Sequence, residues 1–364
     1  VLNREGGAIA FLGTTRTVYA QHNRALNRAF MSHVLSMDAN GSPIAIGEAV
    51  RQAKNDQVQG SRTLQKAGIN RLHYALLGDP ALALRLPTRR AVVDSINGLD
   101  TDEGLQLLLA GDTATVSGHI EGAPDFQGVV TITVKDAEQT ITCRLNPQSE
   151  NEMPKAPLVY QDRPVTLFTG SDSVRNGSFR ITVVLPKDIS YADTPGQMLL
   201  YATDSTLSAH GHCEQFITAG ADSYSPEGNG PDITVTVRTA DGQQEPIFHA
   251  DLYDEDGINA SGSGIGHDME LVIDGQMRST YILNSYFDYA FGDYRCGTVD
   301  FTLPQLSEGP HRLFFRAWDV LNNSAAVTLT FNIGTITAPS GIADISPSTF
   351  NLPPSTFNLP PSTF

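Results

Sequence analysis

Few residues in this sequence combine a type and a spacing that chemistry needs. His210-Gly-His212-Cys213 sets three borderline or soft ligands close together, and zinc accepts both imidazole and thiolate. On a strand, however, adjacent side chains point to opposite faces, so His212 and Cys213 diverge and the motif reads as structural. Asp251, Asp254, Glu255, Asp256 and Asp268 form the densest acidic group, with Gly257 among them, and oxygen ligands at such spacing suit Ca²⁺. The run lacks the EF-hand pattern, and Asp-x-Asp-Gly also ends strands as a turn, so the turn is the first reading and Ca²⁺ the alternative. His73, alone between Leu72 and Tyr74, has the chemistry of a general base but the context of a satisfied histidine on a buried strand. Phe314, Arg316 and Trp318 offer a recognition strip, although in a sheet strand they are expected to pack, with Asp319-Val-Leu-Asn-Asn323 as the following turn. Asp79, in Gly78-Asp-Pro80, is expected to bond its own turn. Cys143 and Cys296 are expected inside strands as small core hydrophobes. On this reading the chain supplies no catalytic residue, no cofactor-binding residue and no metal ligand of its own.

The elements that would position these residues change character along the chain. Residues 1–88 carry the only αβ pattern. Gly6-Gly-Ala-Ile-Ala-Phe-Leu-Gly-Thr-Thr-Arg16 reads as a buried strand over 8–12, and Gln21–Ser36 as a helix with Leu26, Ala29, Phe30, His33 and Val34 on one face. Ser42-Pro43 reads as an N-cap with proline at the first helical position, opening a helix through Lys54 with Ile46, Ala49, Val50 and Ala53 inward. A second strand is expected over 72–77. Strand, helix, helix, strand is half of an α/β sheet covered on both faces.

From 89 to 222 the apolar period becomes two, in segments such as Gly128–Val134, Gly177–Leu185 and Gln197–Ala202, with 146–165 as a polar insertion; this predicts an antiparallel sandwich. Ser223–Pro231 has linker composition, and a second sandwich is expected over 223–334, with strands at Ile233–Val237, Met269–Ile273, Thr298–Leu303, His311–Trp318 and Ala326–Ile333. Residues 335–364 end in repeats of Asn-Leu-Pro-Pro-Ser-Thr-Phe, whose paired prolines forbid helix and central strand and predict an extended tail.

Composition bounds the function class. The net charge of −16 argues against a nucleic-acid partner, because no basic stripe is present to neutralise phosphates. Three widely spaced cysteines without a Cys-x-x-Cys pair exclude a zinc ribbon and a dithiol redox motif. No apolar run is long enough for a transmembrane helix, and Val1-Leu-Asn-Arg-Glu5 has no secretory-signal pattern. Opening almost directly into a strand, the sequence is expected to be a piece of something longer.

The strand at 6–16, the helix Gly47-Glu-Ala-Val-Arg-Gln-Ala-Lys-Asn55 and Leu77-Gly-Asp-Pro-Ala-Leu82 resemble the end of the gingipain-type (C25) cysteine peptidase domain. Asp254-Glu-Asp-Gly-Ile-Asn259, Gly264-Ile-Gly-His-Asp268 and Gly309–Asn323 resemble the surface-sortase branch of that family, so that the likeness runs over residues 1–345. The fold this implies is the C-terminal half of a caspase-like α/β domain, followed by two immunoglobulin-like β-sandwiches and an extended tail.

The resemblance also implies a function. Members of the branch remove C-terminal signals from cargo of the type IX secretion system and pass the acyl-enzyme to anionic lipopolysaccharide. They work at the outer-membrane surface of Gram-negative Bacteroidetes, with an outer-membrane barrel as partner. A thiolate with a histidine base suits such transfer, because a thioester can be captured by an amine instead of water. In the family both residues precede the Gly-Gly-Ala-Ile-Ala strand, and no cysteine occurs here before Cys143, so the chain alone is expected to be inactive. Two alternatives stay open: a secreted gingipain-like protease with stalk domains, and a non-enzymatic surface adhesin or scaffold.

Overall fold

The computed structural model describes residues 8–59, 71–143, 157–189, 194–220, 228–238, 246–262 and 266–333. It divides into two compact units, Val1–Pro87 and Thr88–Phe364. The chain is mostly β-strand, and its two long helices both lie in the first unit.

In the first unit, strand Ala10–Thr14 runs antiparallel to Tyr74–Gly78, with Leu12 opposite Leu76 and Phe11 opposite Leu77. Helices Ala20–Val34 and Ile46–Gln59 cover one face of this ribbon. Ile46, Ala49, Val50 and Ala53 fall three and four residues apart and are buried together, the stripe that an amphipathic helix presents to a core. Val34, Ile46 and Ala49 meet Ala10, Phe30 and Leu76 there. The other face of the ribbon carries Phe11 and Leu77, which stay exposed, so among the described residues the sheet is covered on one side only.

The second helix does not start at Ser42-Pro43. Asp38 accepts the N–H groups of Asn40 and Ser42, and Pro43 bridges back to Met37, so these residues close a tight turn. The helix begins after Ala45, which pairs with Ala83. Asp79 does bond its own turn, accepting the N–H of Ala81 at 2.9 Å.

Gly47 shows packing overruling propensity. Its N–H donates to the Pro80 carbonyl at 2.9 Å, and a Cβ at this position would lie 2.6 Å from Pro80 Cβ and 2.8 Å from Pro80 O. Helix propensity alone favours alanine by about 1 kcal/mol. The clash is with backbone, which cannot swing aside, and overpacking of this kind costs about 1–3 kcal/mol. Gly47→Ala is therefore expected to lower the melting temperature followed by the helical circular-dichroism signal. A rise would show that propensity prevails.

The second unit holds two core clusters. Around the first, the strands lie in the order Ser208–Cys213, Gln197–Thr203, Gly128–Lys135, Thr166–Arg175, Ser178–Val184, Thr113–Ile120, Arg89–Ile96 and Leu99–Asp100. Arg89–Ile96 also meets Ser208–Cys213 in parallel, through Ala209–Arg89 and His210–Arg90, so the sheet returns on itself around Val116, Ile132, Val183 and Met198. The alternation breaks where Leu167 and Phe168 are both buried, and a register shift in the pairing with Gly128–Lys135 absorbs the extra residue. Asn97-Gly98 and Asn176-Gly177 hold positive φ at both central positions, the requirement of tight hairpins.

The second cluster lies between two four-stranded antiparallel sheets. One is Asp232–Arg238, Ile247–Tyr253, Asp293–Thr302 and Phe287–Ala290; the other is Thr280–Ile282, Glu270–Ile273, Gly309–Trp318 and Ser324–Ile333. Phe248 from one meets Phe315 from the other at 5.1 Å between ring centroids.

Several expectations are corrected. Strands at Arg89–Ile96 and Thr166–Arg175 carry no clean alternation and were not evident from sequence, while Ile247–Tyr253 alternates, burying Phe248, Ala250 and Leu252, and adds a strand to those expected. The polar insertion is partly structured, since Val159–Asp162 pairs with Gln139–Thr142 as an exposed ribbon. The tail at 335–364 lies outside the described residues, as does most of the linker at 223–231.

One loop of the second β body plugs into the core of the first. Val320, in the turn after Gly309–Trp318, is 1 % exposed and belongs to the first body's core, with Leu321 packed beside it. The Lys187 N–H donates to the Val320 carbonyl at 2.7 Å. Asp188 accepts from Asn322 Nδ2 at 3.0 Å and pairs with His267.

Candidate functional site

The strongest convergence of titratable groups sits behind that loop. Asp254 follows strand Ile247–Tyr253 and opens a turn in which its Oδ1 accepts the Asp256 N–H at 2.9 Å. Gly257 closes the turn at φ +113°, and a side chain there would strike the Tyr294 ring at 2.8 Å. The next residue, Ile258, bridges to Asp319, which carries the third carboxylate into the group. One carboxylate oxygen from each of Asp254, Asp256 and Asp319 lies within 4.8 Å of the others.

Electrostatics at this point are unfavourable. Burial pushes the Asp254 carboxyl up to about 6, and the charges of Asp319 and Asp256 add to the effect. Asp319 is fully buried and also raised, mainly by burial. It is the better satisfied of the two. Its Oδ1 accepts from the Leu321 and Asn323 backbones at 2.9 and 2.7 Å, and its Oδ2 accepts from Asn323 Nδ2 at 2.7 Å. These bonds fix the loop that carries Val320. Chemically, the group offers hard oxygen donors at a spacing that a divalent cation such as Ca²⁺ can bridge.

The sequence-based acidic group is thus half right. Asp254 and Asp256 are brought together, but Asp251 faces solvent beside His249, Glu255 is exposed, and Asp268 sits apart next to Gly262. Asp319 was missed because the sole link is a bridge between residues distant in sequence.

The other candidates separate. His210 and His212 are exposed while Cys213 faces the core, as strand alternation requires. Burial pushes the Cys213 thiol up, and burial with the Asp293 charge does so at Cys296, the opposite of what a thiolate nucleophile needs. Cys143 and Cys296 are half-buried instead of core residues, and Cys143 lies just past the end of strand Gln139–Thr142. His73 differs from expectation twice. It precedes strand Tyr74–Gly78 instead of lying on it, and its Nδ1 is buried without a hydrogen-bond partner.

Phe314, Arg316 and Trp318 lie on the outer, half-buried face of their strand, whereas Leu313, Phe315 and Ala317 fill the core. Trp318 packs there between the Arg316 guanidinium, 5.3 Å from its ring, and His267, whose ring centroid is 4.4 Å away. Arg316 Nη2 also bonds Glu270 at 2.6 Å.

Comparison with known proteins gives these features a context. A comparison with curated proteins found no match. Among solved structures, dimeric latent PorU from Porphyromonas gingivalis aligns at 27 % identity and a TM-score of 0.44, covering 91 % of this chain and 32 % of that one. The chain thus spans about a third of the length of that protein. Red sea bream transglutaminase aligns at 10 % identity and TM-score 0.21, covering 69 % of this chain and 32 % of its own. A marsupial T cell receptor aligns at 12 % and 0.21, covering 62 % and 95 %. The sequence profile of peptidase family C25, a cysteine peptidase family, matches residues 1–85. Residues 1–85 thus resemble peptidase family C25, the family to which the motifs of the first ninety residues point.

Proposed function

We propose that this chain is the C-terminal part of a C25-type cysteine endopeptidase and transpeptidase that works as a surface sortase of a type IX secretion system. It removes the C-terminal signals of secreted cargo proteins and passes the cargo to anionic lipopolysaccharide. The setting is the outer-membrane surface of a Gram-negative Bacteroidetes cell, with a PorV-like barrel as partner. The observation that carries the reading is the family C25 match over residues 1–85. It is supported by the apolar face at Phe11 and Leu77, which is exposed among the described residues and which further strands or helices of a larger peptidase domain would bury. The β bodies serve as immunoglobulin-like spacers that position the catalytic domain over cargo.

In this reading the catalytic histidine and cysteine come from sequence preceding the first strand, since the first cysteine here is Cys143 and the thiols of Cys213 and Cys296 are shifted away from reactivity. The test is to express the chain alone and as the product of its whole gene, and to follow cleavage of a cargo protein bearing a C-terminal signal domain. The expected result is no turnover by the chain alone and turnover by the whole product that thiol alkylation abolishes. Turnover by the chain alone, or alkylation-resistant turnover, overturns the assignment.

A further inference from the structure

Strand Ser208–Cys213 lies at the seam where the first β body closes, antiparallel to Gln197–Thr203 and parallel to Arg89–Ile96. The alternation that turns Cys213 into the core turns His210 and His212 out together. Both are exposed, and Gly211 between them has no side chain. A Cβ at Gly211 would lie 1.8 Å from the Ala91 carbonyl oxygen, so the backbone that carries the pair is held hard against its neighbour. On the outer face His210 stands opposite Tyr201, and His212 opposite Leu199. Arg90 flanks His210 from the parallel strand, with its guanidinium 3.9 Å from Glu121. Glu214, just past the strand, is already engaged by Gln197 and Arg163.

The two rings differ from most other histidines of the chain. His33, His119, His249, His267 and His311 each lie against an aspartate. Among the described residues, His210 and His212 have neither a hydrogen bond nor an ion pair. A neutral imidazole offers one nitrogen lone pair, and here no neighbour claims it. Alternate residues of a strand have Cα atoms about 6.6 Å apart. Exposed side chains can turn about χ1 and χ2 until one nitrogen of each ring lies about 2.0–2.1 Å from a common ion, with no backbone change. Imidazole nitrogen selects Cu²⁺, Ni²⁺ and Zn²⁺, with Cu²⁺ the tightest, whereas Ca²⁺ and Mg²⁺ take oxygen. From this we infer that His210 and His212 form a two-nitrogen binding site for a divalent transition metal, Cu²⁺ ahead of Zn²⁺, with water in the remaining positions. The site is distinct in donor chemistry from the carboxylates at Asp254. The inference rests on neither the peptidase resemblance nor the proposed function.

Isothermal titration of the whole chain with Cu²⁺, Zn²⁺ and Ca²⁺ tests it, with the double variant His210→Ala/His212→Ala as the baseline. One Cu²⁺ per chain is expected above that baseline, held more tightly than Zn²⁺, while the response to Ca²⁺ is the same in both proteins. Electron paramagnetic resonance of the Cu²⁺ form should show two nitrogen ligands. Either single alanine variant is expected to weaken Cu²⁺ binding about tenfold or more and to leave one nitrogen in the spectrum. Its melting temperature without metal should be unchanged, because both side chains are exposed. His22→Ala, which removes a lone histidine of the first helix, should leave the affinity as it is. Equal Cu²⁺ binding by the double variant, a one-nitrogen spectrum in the wild type, an equal loss in His22→Ala, or displacement of Cu²⁺ by equimolar Ca²⁺ would overturn the assignment.

Discussion

Replacing Val320 by aspartate is expected to destabilise both β bodies by about 4 kcal/mol, the cost range for a charge buried without a partner. The residue is 1 % exposed and sits in the core of the first body, although the strands before and after its loop belong to the second. Its backbone is held on both sides. Its N–H donates to the Gly257 carbonyl at 3.0 Å, and its carbonyl accepts from Lys187. An aspartate here would also add a carboxylate next in sequence to the buried Asp319.

The conservative Val320→Ala keeps the loop and opens only a small cavity, with an expected loss of about 2 kcal/mol. Trp318, the single tryptophan of the chain, lies two residues from the plug and reports on it directly. Denaturant unfolding followed by tryptophan fluorescence and by far-ultraviolet circular dichroism should therefore give coincident transitions in the wild type. In Val320→Asp the fluorescence transition should move to lower denaturant and part from the other. An unchanged, coincident transition would mean that the two bodies do not depend on this contact.

The same loop shows what sequence reasoning could reach. Segments with clean alternation, such as Gly128–Lys135, Gln197–Thr203 and Ser324–Ile333, were legible, because one face buried and one solvated writes a period of two into the sequence. The stripe Ile46, Ala49, Val50 and Ala53 was legible for the same reason with a period of 3.6. Arg89–Ile96 was not. It pairs with strands on both sides, and the register shift between Val93 and Ser95 breaks its alternation. Thr166–Arg175 escaped through the bulge at Leu167.

Long-range convergence was less visible still. Asp319 reads as a turn residue and is one, yet it also completes an acidic group with Asp254, which only the Ile258–Asp319 bridge brings about. Val320 reads as a loop valine, and no local pattern marks it as core. The peptidase likeness of the first ninety residues had the opposite character, because it rested on contiguous motifs that a sequence profile also detects.

The buried acidic group makes the second large prediction, with its sign fixed by linkage. Asp254 has its carboxyl raised to about 6 in the folded chain, against about 3.9 when unfolded. Between those values the folded state holds a proton that the unfolded state has released, so stability falls as pH rises from about 4 through about 6 and then levels off. At pH 7.5 the ionised, poorly compensated carboxylate costs about 2–3 kcal/mol. Asp254→Asn keeps the acceptor for the Asp256 N–H and removes the charge. Measured with a chelator present, the variant should exceed the wild type in stability by about that amount at pH 7.5, with the gain vanishing near pH 4. His311, buried in the same body and raised by its bonds to the Ser307 carbonyl and Asp274, also loses stabilisation as pH rises through its folded value. It does so equally in both proteins, so the difference between the two curves reports Asp254 together with its coupling to Asp319. A variant less stable than the wild type at pH 7.5 under chelation would mean that the ionised carboxylate is compensated by partners other than a cation. A gain that persists unchanged to pH 4 would mean that charge is not its origin.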